Sequence, residues 1–133
     1  MYVYLAEEDK KQVLSCQGGN AGFGETVKGV LVVTTDTSRF FSVGERNQCW
    51  IDGGLFSMSL VYALHSLGLG SCCLNWSVEK DTDQKLRRIT GIPQSEVVIM
   101  MIGVGHLPEK LVVARSMRKP LETILVKGNL GSN

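Results

Sequence analysis

The chain has 133 residues, 44% of them hydrophobic and 20% charged, with a net charge of +1. That length supports one domain with a real core, and the near-neutral balance gives no electrostatic footing for nucleic acid or an anionic membrane. No apolar run reaches membrane-spanning length, because Ser57, Ser59, His65 and Ser66 interrupt the longest.

The first ten residues lack the basic start and long apolar middle of a secretory signal, so a cytoplasmic location with reduced thiols is expected. Cys16, Cys49, Cys72 and Cys73 form no C-x-x-C pair, and neighbours Cys72 and Cys73 on a strand point to opposite faces. No metal site is expected, and the thiols read as buried core groups.

Tyr2 to Leu5 reads as a strand and Glu7 to Leu14 as a short helix, with Glu7 and Lys11 at a supporting i,i+4 spacing. Ser15 to Gly24 holds Gly18, Gly19, Gly22 and Gly24, which rules out a regular element. Such a loop either lets backbone approach a ligand closely or simply connects. Gly29 to Thr35 is rich in β-branched residues and reads as a strand buried on both faces. Asp36 to Trp50 reads as an extended, partly covered loop.

The stretch from Asp52 to Leu67 reads as a helix with Asp52 as its N-cap, stopped by Gly68 and Gly70. Phe56, Leu60, Ala63, Leu64 and Leu67 make one apolar stripe, and Leu55, Met58, Val61 and Tyr62 occupy the other side. No Asp, Glu, Lys or Arg follows Asp52 until Glu79. A helix this uncharged is expected to be buried all round, which in so short a chain calls for a second subunit. Cys72 to Asn75 then reads as a strand, and Trp76 either packs in the core or stacks on a planar ligand.

Asp81 or Thr82 would cap an amphipathic helix with Leu86 and Ile89 on its apolar side, stopped at Gly91-Ile92-Pro93. Glu96 to Val104 is a second buried strand, followed by a turn at Gly105 to Pro108. Leu111 to Ala114 is apolar and extended, Leu121 to Val126 suits a helical turn or a strand, and Gly128 to Asn133 is a frayed tail. Arg115 to Lys119 is the compact basic cluster; its arginines suit phosphate oxygens, or it is a solvated basic end. The alternation of strands and helices implies a layered α/β domain without a boundary.

Gly68-Leu69-Gly70-Ser71-Cys72-Cys73 completes only half of a dinucleotide fingerprint and follows a helix rather than a strand. No phosphate loop, nucleophile elbow or zinc-protease motif occurs. His65 reads as a core or interface histidine and His106 as an exposed turn residue.

Three blocks in order resemble the flavin-dependent nitroreductases: Asp52-Gly53-Gly54 through Leu67-Gly68-Leu69-Gly70-Ser71-Cys72, then Leu86 to Gly105, then Arg115-Ser116-Met117-Arg118-Lys119-Pro120-Leu121-Glu122. Ser15 to Asn20 is a weaker fourth, similar to the family's Ala-Pro-Ser-Gly-x-Asn loop. The resemblance implies a single nitroreductase-like α+β domain over residues 1–133, a mixed sheet flanked by helices, and a homodimer. It implies FMN at the dimer interface and hydride transfer from NAD(P)H to a nitroaromatic, quinone or similar small-molecule acceptor. Gln17, Gly19 and Asn20 would approach the flavin, Asn75 and Trp76 would flank its reactive edge, and Arg115, Arg118 and Lys119 would hold its phosphate. The family's basic Arg-Arg-Ser-x-Arg segment does not precede Tyr2, and Cys16 and Gln17 replace the loop's Pro and Ser. A truncated or divergent member is therefore expected, and the alternative function is a cofactor-less scaffold with a binding or assembly role.

Overall fold

The computed structural model describes residues 1–113 and 115–128. Four strands, β1 (Tyr2–Tyr4), β2 (Gly29–Asp36), β3 (Leu69–Asn75) and β4 (Glu96–His106), form one sheet in the order β1-β2-β4-β3. Every pairing is antiparallel. Helices α1 (Glu7–Leu14), α2 (Gln48–Ser66) and α3 (Lys80–Thr90) flank it, and α4 (Leu121–Ile124) is a single turn near the end. The layered α+β arrangement expected from the sequence is the one observed.

The core lies on one face of the sheet. Val30 and Val32 of β2, Leu74 of β3 and Met101 of β4 meet Val13 and Leu14 of α1 and Leu86 of α3, all buried. A buried ammonium ties α1 down: Lys10 Nζ donates to the Val27 carbonyl at 2.8 Å and to Glu7 Oε1 at 2.7 Å. An unpaired lysine could not remain in that position, so the two acceptors are what make its burial tolerable.

Helix α2 covers the opposite face, and it does so through small residues. Cys49, Gly53 and Ser57, spaced by four, are its buried positions. A Cβ on Gly53 would lie 2.5 Å from Cγ1 of Ile99, so the helix axis approaches the sheet as closely as backbone allows. Ile99 is the extra residue where the β2–β4 register slips between Val33 and Thr34, and a bulge of this kind re-aims a side chain. Thr35 Oγ1 donates to the Cys49 carbonyl at 3.2 Å and fixes the first turn.

Several expectations change here. Helix α2 starts at Gln48, with Asn47 in the N-cap position, so Asp52 lies inside it and accepts from Gln48 Nε2 at 2.7 Å. Of the expected stripe, Leu60 and Leu64 are half-buried while Phe56, Ala63 and Leu67 are exposed, as are Leu55 (65%) and Tyr62 (65%) on the other side. The close seat at Gly53 admits only small side chains at that level of the helix. Gly68 ends the helix at φ +74 as expected.

The expected loop from Asp36 to Trp50 is shorter: residues 37–47 lie between β2 and α2 and hold two tight 3-10 turns, Thr37–Arg39 and Val43–Glu45. Helix α3 starts at Lys80 with Glu79 in the N-cap position, ahead of the expected caps Asp81 and Thr82, and Ile89 stays partly exposed while Leu86 is fully buried. Cys16 and Cys49 are buried as expected, but Cys72 and Cys73 are exposed because β3 is an edge strand. Residues Leu107 to Val113 and Arg115 to Pro120 carry no regular structure. Ala114 and residues 129–133 of the expected tail lie outside the described residues.

Candidate functional site

The Gly-rich loop after α1 and the end of β3 meet. Gln17 is the joint: its Oε1 accepts from Gly19 N, and its Nε2 donates to the Asn75 carbonyl at 3.0 Å. Gly19 lies close enough to β3 that an added Cβ would touch Leu74 Cδ2 at 3.5 Å. The loop itself contains only one 3-10 turn, Gly18–Asn20. Glycine matters here because the loop must run against β3 without side chains intervening.

Asn20 sits at the end of that turn with its amide turned inward. Its Nδ2 donates to the Leu14 carbonyl at 2.9 Å and to the Gln17 carbonyl. Its geometry therefore shapes the loop. Beside it, Lys11, Leu14, Asn20, Phe23 and Thr26 line an open cleft of about 410 Å³.

At the end of β3, Asn75 Oδ1 accepts from Ser77 N at 3.1 Å, forming a local side-chain turn around Trp76. The Asn75 amide nitrogen makes no hydrogen bond among the described residues. Trp76 is partly buried against the core, and its Nε1 donates to Asp83 Oδ1 at 2.9 Å. Asp83 Oδ2 accepts from Arg87 Nε at 2.7 Å. Arg87 in turn donates to the Glu96 carbonyl at 2.9 Å and to the Pro93 carbonyl. Burial works to raise the Asp83 pKa, but the hydrogen bonds from Arg87 and Trp76, with the Arg87 charge, outweigh it and hold the carboxyl below its ordinary range.

Thus Gln17, Gly19, Asn20, Asn75 and Trp76 come together. Arg115, Arg118 and Lys119 do not join them: all three are exposed on the irregular segment after β4, and no hydrogen bond or ion pair among the described residues holds them. Asp83 was missed in the sequence. Its i,i+4 spacing to Arg87 was readable as a helix ion pair, but its contact with Trp76, seven residues earlier, depends on the turn between β3 and α3.

Burial, then the neighbouring Cys72, push the Cys73 thiol up, so it carries little thiolate character. Neither of the adjacent thiols has a histidine hydrogen-bonded to it among the described residues. His65 and His106 are both exposed, so of the core or interface place expected for His65 the core is excluded.

The chain's fold has solved counterparts. An FMN-dependent nitroreductase from Clostridium difficile R20291 superposes with a TM-score of 0.70 at 18% identity, over 86% of this chain and 66% of that one. B. megaterium NfrA1 gives 0.75 at 18% identity, over 99% of this chain and 57% of that one. Nitroreductase A from Vibrio parahaemolyticus RIMD 2210633 gives 0.71 at 19% identity, over 98% and 57%. At these identities the likeness defines the fold, an antiparallel sheet with helices on both faces. The chain spans about two thirds or less of the length of these three structures. No curated protein sequence matches it. The nitroreductase family model matches residues 4–106, and the chain belongs to the nitroreductase family.

Proposed function

We propose that this chain is an FMN-dependent NAD(P)H oxidoreductase of the nitroreductase type, acting as a homodimer on a nitroaromatic, quinone or similar acceptor. The observation that carries the reading is the junction of the Gly-rich loop with the end of β3 through Gln17 and Asn75, in a chain that belongs to this family. The donor set suits a phosphorylated planar ring. Asn75 has an uncommitted amide N–H₂, Trp76 offers an aromatic face, and Arg118 with Arg115 and Lys119 offers exposed charge.

When bound, FMN supplies hydride exchange between the nicotinamide and the acceptor. The chain's own residues bind and orient. Asn75 would donate to a ring heteroatom, Gln17 and Gly19 would keep the loop backbone against the ring edge, and Asn20 would hold the loop's shape from behind. Arg118, with Arg115 and Lys119, would neutralise the phosphate. Those cations sit on a segment that does not fold back onto Asn75 within one chain, which favours a site completed by a second copy. Helix α2 supports the same assembly: Leu55, Met58 and Tyr62 form an uncovered apolar face, as do Leu111, Val112 and Val113 beyond β4.

The second reading, a cofactor-less scaffold for binding or assembly, draws on Asn20, whose amide is spent on Leu14 and Gln17 carbonyls and offers no donor outward. Visible spectroscopy of the purified protein with added FMN separates the two. Saturable flavin binding with NAD(P)H oxidation supports the oxidoreductase. Absence of binding supports the scaffold.

A further inference from the structure

Trp76 is held both through its backbone neighbours and through its indole N–H. Its backbone lies between two pinned neighbours: the Asn75 carbonyl accepts from Gln17 Nε2 at 3.0 Å, and Ser77 N donates to Asn75 Oδ1 at 3.1 Å. Its indole N–H is spent on Asp83 at 2.9 Å. Asp83 is fixed by Arg87, whose side chain is only 10% exposed. Arg87 is itself anchored to the Pro93 and Glu96 carbonyls at the foot of β4. The series runs from the sheet, through two charged groups, to one aromatic ring that is only partly covered. A partly buried indole N–H ordinarily finds an acceptor, and a neutral one suffices for that. Here the acceptor is a carboxylate that a second charged side chain holds in place, and this charge-assisted bond fixes the ring plane against rotation about χ2.

We infer that Asp83, braced by Arg87, is a positioning residue that locks the Trp76 indole as a rigid wall for a planar heteroaromatic ring beside Asn75. The inference rests on the flavin reading above and assigns the ring-side contact within it. The wall acts on the ring system, not on the phosphate. Loss of the brace therefore weakens FMN and riboflavin alike, whereas loss of Arg118 weakens only FMN.

The test uses the full chain and two probes, FMN and riboflavin, titrated by flavin fluorescence. Asp83→Ala is expected to weaken both flavins by about tenfold, the scale of one charge-assisted hydrogen bond. It is also expected to raise the emission of the bound flavin, because an unlocked indole quenches less. Asp83→Asn, which keeps an acceptor for the indole N–H, is expected to recover most of that quenching. Trp76→Phe leaves the Asp83–Arg87 pair in place and keeps an aromatic ring; it is expected to give the largest rise in emission, and it serves if Asp83→Ala does not fold. In proton–nitrogen spectra of the flavin-free protein, the indole signal lost in Trp76→Phe is expected to exchange slowly in the wild type and rapidly in Asp83→Ala. If wild type binds flavin while Asp83→Ala and Trp76→Phe match its affinity and emission, the wall is refuted and the flavin reading stands. If wild type takes up neither flavin, both are refuted.

Discussion

Gly53→Ala adds one methyl group at the point where α2 meets the sheet. The new Cβ would lie 2.5 Å from Ile99 Cγ1 and 3.0 Å from both Cδ1 and Cγ2. Carbon atoms rest about 3.5–4.0 Å apart, so either the helix retreats by about 1 Å or Ile99 moves. Ile99 is β-branched and stiff at χ1, and the methyl is surrounded by three of its atoms, so rotation gives little relief. Overpacking of this kind costs about 1–3 kcal/mol. Alanine in place of glycine in a helix returns about 1 kcal/mol. The net expectation is a loss of about 0–2 kcal/mol, read by urea unfolding at one protein concentration. At Gly54, one position on, a Cβ meets nothing within 4 Å in this chain. Gly54→Ala in the same assay should keep the helix gain. A Gly53→Ala protein more stable than wild type by the full propensity gain would refute the close seat of α2 on Ile99.

Lys10→Met removes the donor that satisfies the Val27 carbonyl while keeping the stem's volume; we expect a loss of about 1–3 kcal/mol by denaturant melts, with faster amide exchange in α1. The Asp83 carboxyl is held below its ordinary value in the fold, so its contribution is fully present above the unfolded value of about 3.9 and is lost as pH falls through the folded one. Acid titration of stability should therefore be shallower in Asp83→Asn than in wild type below about pH 4, and parallel acid limbs would contradict the pairing with Arg87 and Trp76. Arg118→Ala should weaken FMN about tenfold in flavin titrations and leave riboflavin unchanged; equal loss of both would remove Arg118 from the phosphate.

The strands at Gly29 and Glu96 were legible because continuous β-branched runs suit a sheet covered on both faces, and Gly68 announced the end of α2 by its left-handed turn. The orientation of α2 was not legible. Counting large apolar residues points Phe56 and Leu67 inward, but the contact distance at Ile99 selects Cys49, Gly53 and Ser57, and hydrophobicity says nothing about that distance. The helix start was hidden for a related reason: Asp52 is a strong cap by residue type, yet Thr35 reaches the Cys49 carbonyl and stabilises a turn further upstream. Around the site, the Gly-rich loop and the Asn75–Trp76 turn could each be read locally. Their junction through Gln17, far from Asn75 in the chain, depends on the tertiary fold, and Asp83 meets Trp76 through the turn between β3 and α3.

The central claim is that two copies of this nitroreductase-family chain build one flavin site between them. Sedimentation velocity with added FMN, followed in the visible flavin band, tests it most directly. The account predicts flavin absorbance moving with a species of twice the chain mass. Protein sedimenting as a single chain, with all the flavin left behind in the supernatant, would contradict it.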